Sequence, residues 1–395
     1  MKILILILKK LRENKFIYIF LALQLVIGMY TANTGIAKYR YNNYVFDTCG
    51  DIVNQKPLIL STKDELSGPI PNLAKQKEIL NQIENLPNVK NVTVCRDSTF
   101  QLDKISVTLL AYDTYILSMI KRPLSNGTWM DKAANADNTN AVVIDSSLAD
   151  RYKVGDIFTI NKLDDNQGNE HTAKFKVCGI LALPSYAWDF SIGSSIPNIQ
   201  MYLRNQHNNI LSGPVKDING KIIDFHISLQ NLVFLENPNI GQQTLDKIES
   251  GFKQYYDVNS MDSAVERGRA DSHETTFTWS LYSLINLMLI IFGVGGCTIL
   301  MLQQQLKEYG IYILCGASKK RLLLVKTLIN VIVIFFPSLI SLFAVMHNSN
   351  SYMLLDIYSV YICLGLCTFI FAITTGLALV KLYRQQPVEI IRRSV

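Results

Sequence analysis

Four stretches of this 395-residue sequence contain no charged residue: Phe16 to about Asn33, Phe277 to Gln305, Thr327 to Met346, and Ile357 to Val380. Each is about as long as the ~20 residues a helix needs to cross the hydrocarbon layer of a bilayer. The pattern predicts four membrane spans, and the composition agrees, with 49% hydrophobic residues, 18% charged residues and a mean hydropathy of +0.18. Pro337 falls inside the third stretch without arguing against it, because neighbouring helices repair the missing backbone bond; a kink near Phe336 is expected. The first stretch follows basic residues, as a cleaved signal does. Its apolar core nevertheless exceeds the ~7 to 15 residues of such signals, and no A-x-A site follows.

Orientation follows from the basic residues. Lys2, Lys9, Lys10, Arg12 and Lys15 precede the first span, Lys307, Lys319, Lys320 and Arg321 lie between the second and third, and Lys381, Arg384, Arg392 and Arg393 follow the fourth. The loop from His347 to Leu355 has no Lys or Arg. The positive-inside rule then predicts that both termini and the 303–322 segment are cytoplasmic, with Lys38 to Thr276 outside a cell membrane. The net charge of +6 therefore points to topology and to lipid headgroups rather than to nucleic acid. Only Cys49, Cys95 and Cys178 fall in the outside region. Three cysteines permit at most one disulfide, so no disulfide framework is expected there.

The outside region reads as mixed α and β. Leu73, Leu80, Ile83 and Leu86 share a helical face; VKNVTVC from Val89 and KISVTLLAY from Lys104 are rich in β-branched residues and read as strands. A strand at AVVID, a short helix over Ser146 to Tyr152, and strands at VGDIFTI and KFKVCGIL with a turn at Asp164 to Gly168 follow. The pattern loosens after Leu183 into a stretch rich in Ser, Asn and Pro, read as an insertion. It resumes with the strand DFHISL from Asp224, an amphipathic helix near Gln242 to Tyr256, and the strand YDVNSM. Strand, helix, strand, strand, helix, strand is the order of small two-layer α/β units.

Catalytic patterns are lacking. No G-x-x-x-x-G-K-[ST] loop is present, so the chain has no phosphate-cradling loop of its own. His273-Glu274 resembles the start of a zinc-protease helix, but Phe277 stands where the second histidine is needed. No G-x-S-x-G turn occurs. Lys326 and Asp356, near span ends, read as side chains that reach the interface. Asn286 and Asn330 read as interhelical hydrogen-bond formers, and Gly293, Gly295 and Gly296 as a close-packed helix face.

Three local patterns sit on this topology. Glu308, Gly310, Ile311, Gly316, Ala317 and Ser318 resemble the E-x-G-I-x-x-x-x-G-A-S signature of MacB/FtsX-type ABC transporter permeases. NGTWM, AVVIDSSLADRYKVGDIFTI and FKVCGIL resemble that family's outside domain, and QPVEIIR, from Gln386, is similar to its terminal D-P-[VI]-E-x-[LI]-R. The resemblance implies a membrane protein with four transmembrane helices and an extracytoplasmic α+β domain of porter-like βαβ units with an inserted subdomain. Its division of the chain is 1–15, a cytoplasmic amphipathic segment; 16–35, the first span; 36–276, the periplasmic core domain, with an insertion at about 183–221; and 277–303, the second span. After these come 304–321, a cytoplasmic coupling helix; 322–346, the third span; 347–355, an outside loop; 356–381, the fourth span; and 382–395, a cytoplasmic tail.

By the same resemblance the chain is a non-catalytic permease subunit without a cofactor of its own. Its partners would be a separate cytoplasmic ABC ATPase that binds ATP and Mg, a second permease (a homodimer or a related chain), and membrane lipids. The implied ATPase-coupling residues are Lys307, Glu308, Tyr309, Gly310, Tyr312, Gly316, Ala317 and Ser318, and the C-terminal motif contributes Pro387, Glu389 and Arg392. Two departures stand out: Tyr312 and Ile313 replace residues that are commonly basic, and Gln386 replaces an aspartate, weakening a helix N-cap. The implied function is export or extraction of a peptide, lipid-linked or toxic compound. An antimicrobial-peptide sensor signalling to a histidine kinase and an FtsX-like regulator of cell-wall hydrolases are the alternatives.

Overall fold

A computed structural model describes residues 2–63, 71–132, 138–183, 185–190, 198–205, 208–316, 318–347 and 353–384. In chain order the elements are α1 (Lys2–Glu13), α2 (Lys15–Thr48), α3 (Gly50–Val53), β1 (Leu58–Thr62), α4 (Leu73–Glu84), β2 (Val89–Leu102), β3 (Ile105–Tyr112), β4 (Leu124–Gly127), β5 (Thr139–Ile144), β6 (Ile157–Asp164), β7 (Glu170–Leu181) and β8 (Tyr186–Trp188). They continue with α5 (Ile199–Tyr202), β9 (Leu203–Asn205), β10 (Asn209–Ser212), β11 (His226–Leu235), α6 (Gly241–Phe252), β12 (Tyr256–Ser260), α7 (Met261–Leu314), α8 (Lys319–His347) and α9 (Ile357–Arg384). The chain divides into a helical unit, 1–41 with 273–395, and an α/β unit, 42–272.

The α/β unit is built on one mixed sheet with, among the described residues, the order β12-β1-β11-β2-β3-β10-β5-β7-β4, and β6 paired with β7. Its first four strands are antiparallel neighbours. With α4 and α6 they form a split βαβ layer in which β1-α4-β2 interlocks with β11-α6-β12. Ile79, Leu80 and Ile83 of α4 and Ile248 of α6 pack with Leu58, Leu60 and Val233 into its core. A second core gathers Val107 and Leu109 of β3, Val142 and Ile144 of β5, Phe175 and Val177 of β7, and Ile210 of β10. The β2–β3 hairpin turns through Asp103 and Lys104, both at positive φ (50° and 68°). Such a turn normally calls for Asn-Gly or Asp-Gly; here Arg151 Nη1 donates to the Asp103 carbonyl at 3.2 Å and the Tyr152 hydroxyl to its carboxylate at 2.5 Å, holding it in place.

Two expectations for this unit change. The segment after Leu183 is not a loose insertion: β10 lies in the body of the sheet, parallel to β3 and antiparallel to β5. Everything from β3 to β10 separates β2 from β11, so the interrupting region is far larger than 183–221. Four residues, NILS, are too few to show a period, which is why the strand is hidden in the sequence. The short helix expected over Ser146 to Tyr152 is a single 3-10 turn, Ser146–Leu148, capped by the Asp145 carboxylate accepting from Ser147 N at 3.0 Å. Cys49, Cys95 and Cys178 are all buried, and no disulfide joins any of them.

In the helical unit α2, α7, α8 and α9 are each long and apolar enough to span a membrane. Phe292, Phe336, Phe343 and Phe369 are exposed on them, as lipid-facing residues are. Gln24 of α2 donates to the Leu289 carbonyl of α7 at 2.7 Å. A Cβ placed on Gly28 would collide with the Ile290 side chain, and one on Gly293 with Gln24. Gly296, by contrast, has nothing within 4 Å of such a Cβ, so close packing is confined to part of the glycine face. Asn286 donates to Thr31 at 3.0 Å and Asn330 to Thr375 at 3.1 Å, both between helices.

The charged residues near the span ends do not behave as the sequence suggests. Lys326 is 4% exposed, on the buried stripe of α8 with Leu322, Val325, Ile329 and Asn330. Helical phase fixes that position at i+4 and i−4 from buried neighbours, so the side chain is packed rather than extended to an interface. Asp356 accepts from Arg40 Nε at 3.1 Å and caps α9 by accepting from Ser359 N at 2.9 Å. Asp356→Asn is expected to cost roughly 2 kcal/mol, read as a lower melting temperature of the detergent-solubilised chain at neutral pH. An unchanged melt would show the pair contributes nothing.

Candidate functional site

The 304–321 segment is not a separate helix. α7 runs without a break over 54 residues, from Met261 through Gly310 to Leu314. One interior glycine costs about 1 kcal/mol, too little to end a helix that residues on both sides continue. The stop comes at Gly316, whose φ of +89° is the left-handed conformation that closes a helix C-terminus. A Cβ there would meet nothing within 4 Å, so the glycine serves the backbone turn and not a close approach. Ser318 opens the next helix: its carbonyl accepts from Arg321 N at 3.0 Å, with its hydroxyl 3.4 Å from the same nitrogen. Gly316 to Ser318 is thus a joint between α7 and α8.

Along the last turns of α7, Gln303, Gln304, Glu308 and Ile311 are exposed and Tyr312 is half-buried; Cys315, Gly316 and Ser318 beyond it are exposed too. The face offered is mixed polar and apolar. Gly310 lies within the helix, while the side chains of Lys307 and Tyr309, and Ala317, Pro387, Glu389 and Arg392 altogether, fall outside the described residues.

Lys10 is the residue the sequence reading missed. Counted there only as a topology determinant, it lies on α1 with its ammonium hydrogen-bonded to the Glu308 carboxylate and 3.2 Å from Glu13. The Lys10 side chain is 3% exposed and that of Glu308 48%. Burial would lower the Lys10 pKa, but the bonds to Glu308 and Glu13 outweigh it and the pKa is raised. The ammonium therefore stays charged through neutral pH and above, and the pair is lost only as pH rises through that raised value. A signal was available: Ile7 and Lys10 are three apart on α1 and so share a helix face, and Ile7 is buried.

Among the described residues no group of three or more His, Cys, Asp or Glu side chains could hold a metal ion. What the segment can do is present an exposed helix end, closed at Gly316, to another surface.

A family model described as MacB-like periplasmic core domain matches residues 19–215. Among solved structures, the periplasmic region of MacB from Actinobacillus actinomycetemcomitans is similar over 56% of this chain and 95% of that one, at 12% identity and a TM-score of 0.31. The extracellular domain of the noncanonic ABC-type transporter YknZ from Gram-positive bacteria is similar over 52% of this chain and 98% of that one, at 12% identity and a TM-score of 0.28. No curated protein sequence matches.

Proposed function

The chain belongs to the MacB/FtsX-type ABC transporter permeases, and from that premise we propose that it converts ATP hydrolysis on a separate cytoplasmic ATPase into motion of its α/β unit, exporting or extracting a peptide, lipid-linked or toxic compound. The observation that carries the reading is the continuity of α7: the second span and the proposed docking end, 304–314, are one helix. Displacing the end displaces the span. The permease acts as one half of a two-fold pair, with both termini on the ATPase side. The polar groups of the spans support mechanical action over a hydrophilic conduit, because they bond one another: Asn33 donates to Ser341 at 3.0 Å, and Ser341 to the Ser338 carbonyl at 3.0 Å.

Glu308→Ala combined with Gly310→Leu tests the reading. The double variant is expected to insert normally while ATP hydrolysis by the co-purified ATPase loses its dependence on the permease by at least about tenfold. Coupling at the wild-type level in that variant would sink the docking role of this segment.

A further inference from the structure

We propose that α1 is a strap on the docking end of α7, with Lys10 as the residue that positions Glu308. The inference rests on the docking role given above to 304–321. Two adjacent lysines of α1 behave differently: the Lys9 side chain is 62% exposed and comes only within 3.8 Å of Glu13, whereas Lys10 is buried and reaches Glu308 as well. The difference is helical phase, since Lys10 follows Ile7 by three residues. Ile7 sits in the apolar core of the helical unit with Tyr18 and Leu21 of α2, Met301 of α7 and Val325 of α8. α1 is thus fastened twice, by an apolar side chain and by an ion pair, and the ionic point lands within two turns of the end of α7.

The pair is asymmetric. Removing Glu308 leaves the buried ammonium with Glu13 as its remaining carboxylate, while removing Lys10 leaves a half-exposed Glu308 carboxylate that water can solvate. The last turns of α7 therefore move with α1 or break a buried ion pair. Lys10 sets where Glu308 and the neighbouring Gly310 are presented, so it is a positioning residue for coupling although it lies 298 residues away in sequence.

Cys315 supplies a readout that needs no ATPase. It is exposed just past α7, and a nitroxide attached there, with the less buried Cys297 replaced by serine, reports the mobility of the docking end. The variants are Lys10→Met, which keeps the bulk and removes the charge, and the exchange Lys10→Glu with Glu308→Lys, each in the full chain. Lys10→Met is expected to raise mobility at Cys315 and to cut the ATPase retained in mild detergent by about fivefold or more. The charge exchange is expected to return both towards wild type, which a purely packing role for Lys10 would not do. Unchanged mobility in Lys10→Met overturns the strap, and raised mobility with full ATPase retention overturns its positioning role. A wild-type chain that retains no ATPase overturns the docking role itself, while the nitroxide still reads the strap.

Discussion

Gly127→Ala is expected to destabilise the α/β unit by about 3 kcal/mol, the sum of a left-handed backbone strain and a clash with main chain. Gly127 has φ +86°, and a Cβ on it would strike the Cys178 carbonyl oxygen and stand 2.8 Å from Gly179 Cα. Those atoms belong to β7, in the body of the sheet, and cannot step aside as a flexible side chain could. The turn at Gly127 lets Thr128 N donate to that same carbonyl at 2.8 Å and delivers Trp129 to a buried site, where its Nε1 donates to the Leu117 carbonyl at 2.8 Å. Gly168→Ala is the control: its φ is +78°, but nothing lies within 4 Å of an added Cβ, so about 1 kcal/mol is expected. Thermal unfolding of the solubilised chain compares the two. Equal shifts would refute the backbone-clash account.

Trp188→Ala carries the second large effect, about 3 to 5 kcal/mol. Trp188 is among the largest fully buried side chains, stacked on Phe190 at 5.8 Å between ring centroids. The Arg122 guanidinium lies 5.4 Å from its ring centroid and donates from Nη1 to the Thr48 carbonyl, at the C-terminal end of α2, at 2.9 Å. A cation at that position satisfies a helix-end carbonyl and suits the helix dipole. Truncating the ring opens a cavity and removes the aromatic face over which a buried cation is held. Trp188→Phe keeps a ring and should cost less than half as much. If denaturant melts place the two variants together, the ring is not what holds Arg122.

The spans were legible because their signal is long: some twenty residues without charge cannot be mistaken for a surface helix. The 304–321 segment was legible as the join between the second and third long helices but not in form. Gly310 and Gly316 look alike in sequence, yet one is absorbed inside a helix and the other ends it, since only Gly316 takes positive φ. Most of the split βαβ order could be read from α4, β2, β11, α6 and β12, but β1, five buried residues without alternation, went unread. β10 and the aromatic hairpin of β8 and β9 could not, being three or four residues each and held by contacts with remote parts of the chain. Lys10 escaped because a basic residue near a span resembles a topology signal, and Arg122 because its partner, Thr48, like the Glu308 partner of Lys10, lies far away in sequence.

One consequence of the sheet order remains. β1 and β12 are the first and last strands of the α/β unit, and they are paired side by side, with Leu58 opposite Ser260 and Met261 N donating to the Pro57 carbonyl at 3.0 Å. The sheet of the unit thus begins and ends at one place, on strands a single strand spacing apart. Such a unit is a cassette: another domain whose ends are equally close can be exchanged for it without altering the separation of α2 and α7 at the point of attachment. A fold of this kind allows the α/β unit to change by wholesale replacement, while the helices before and after it are kept.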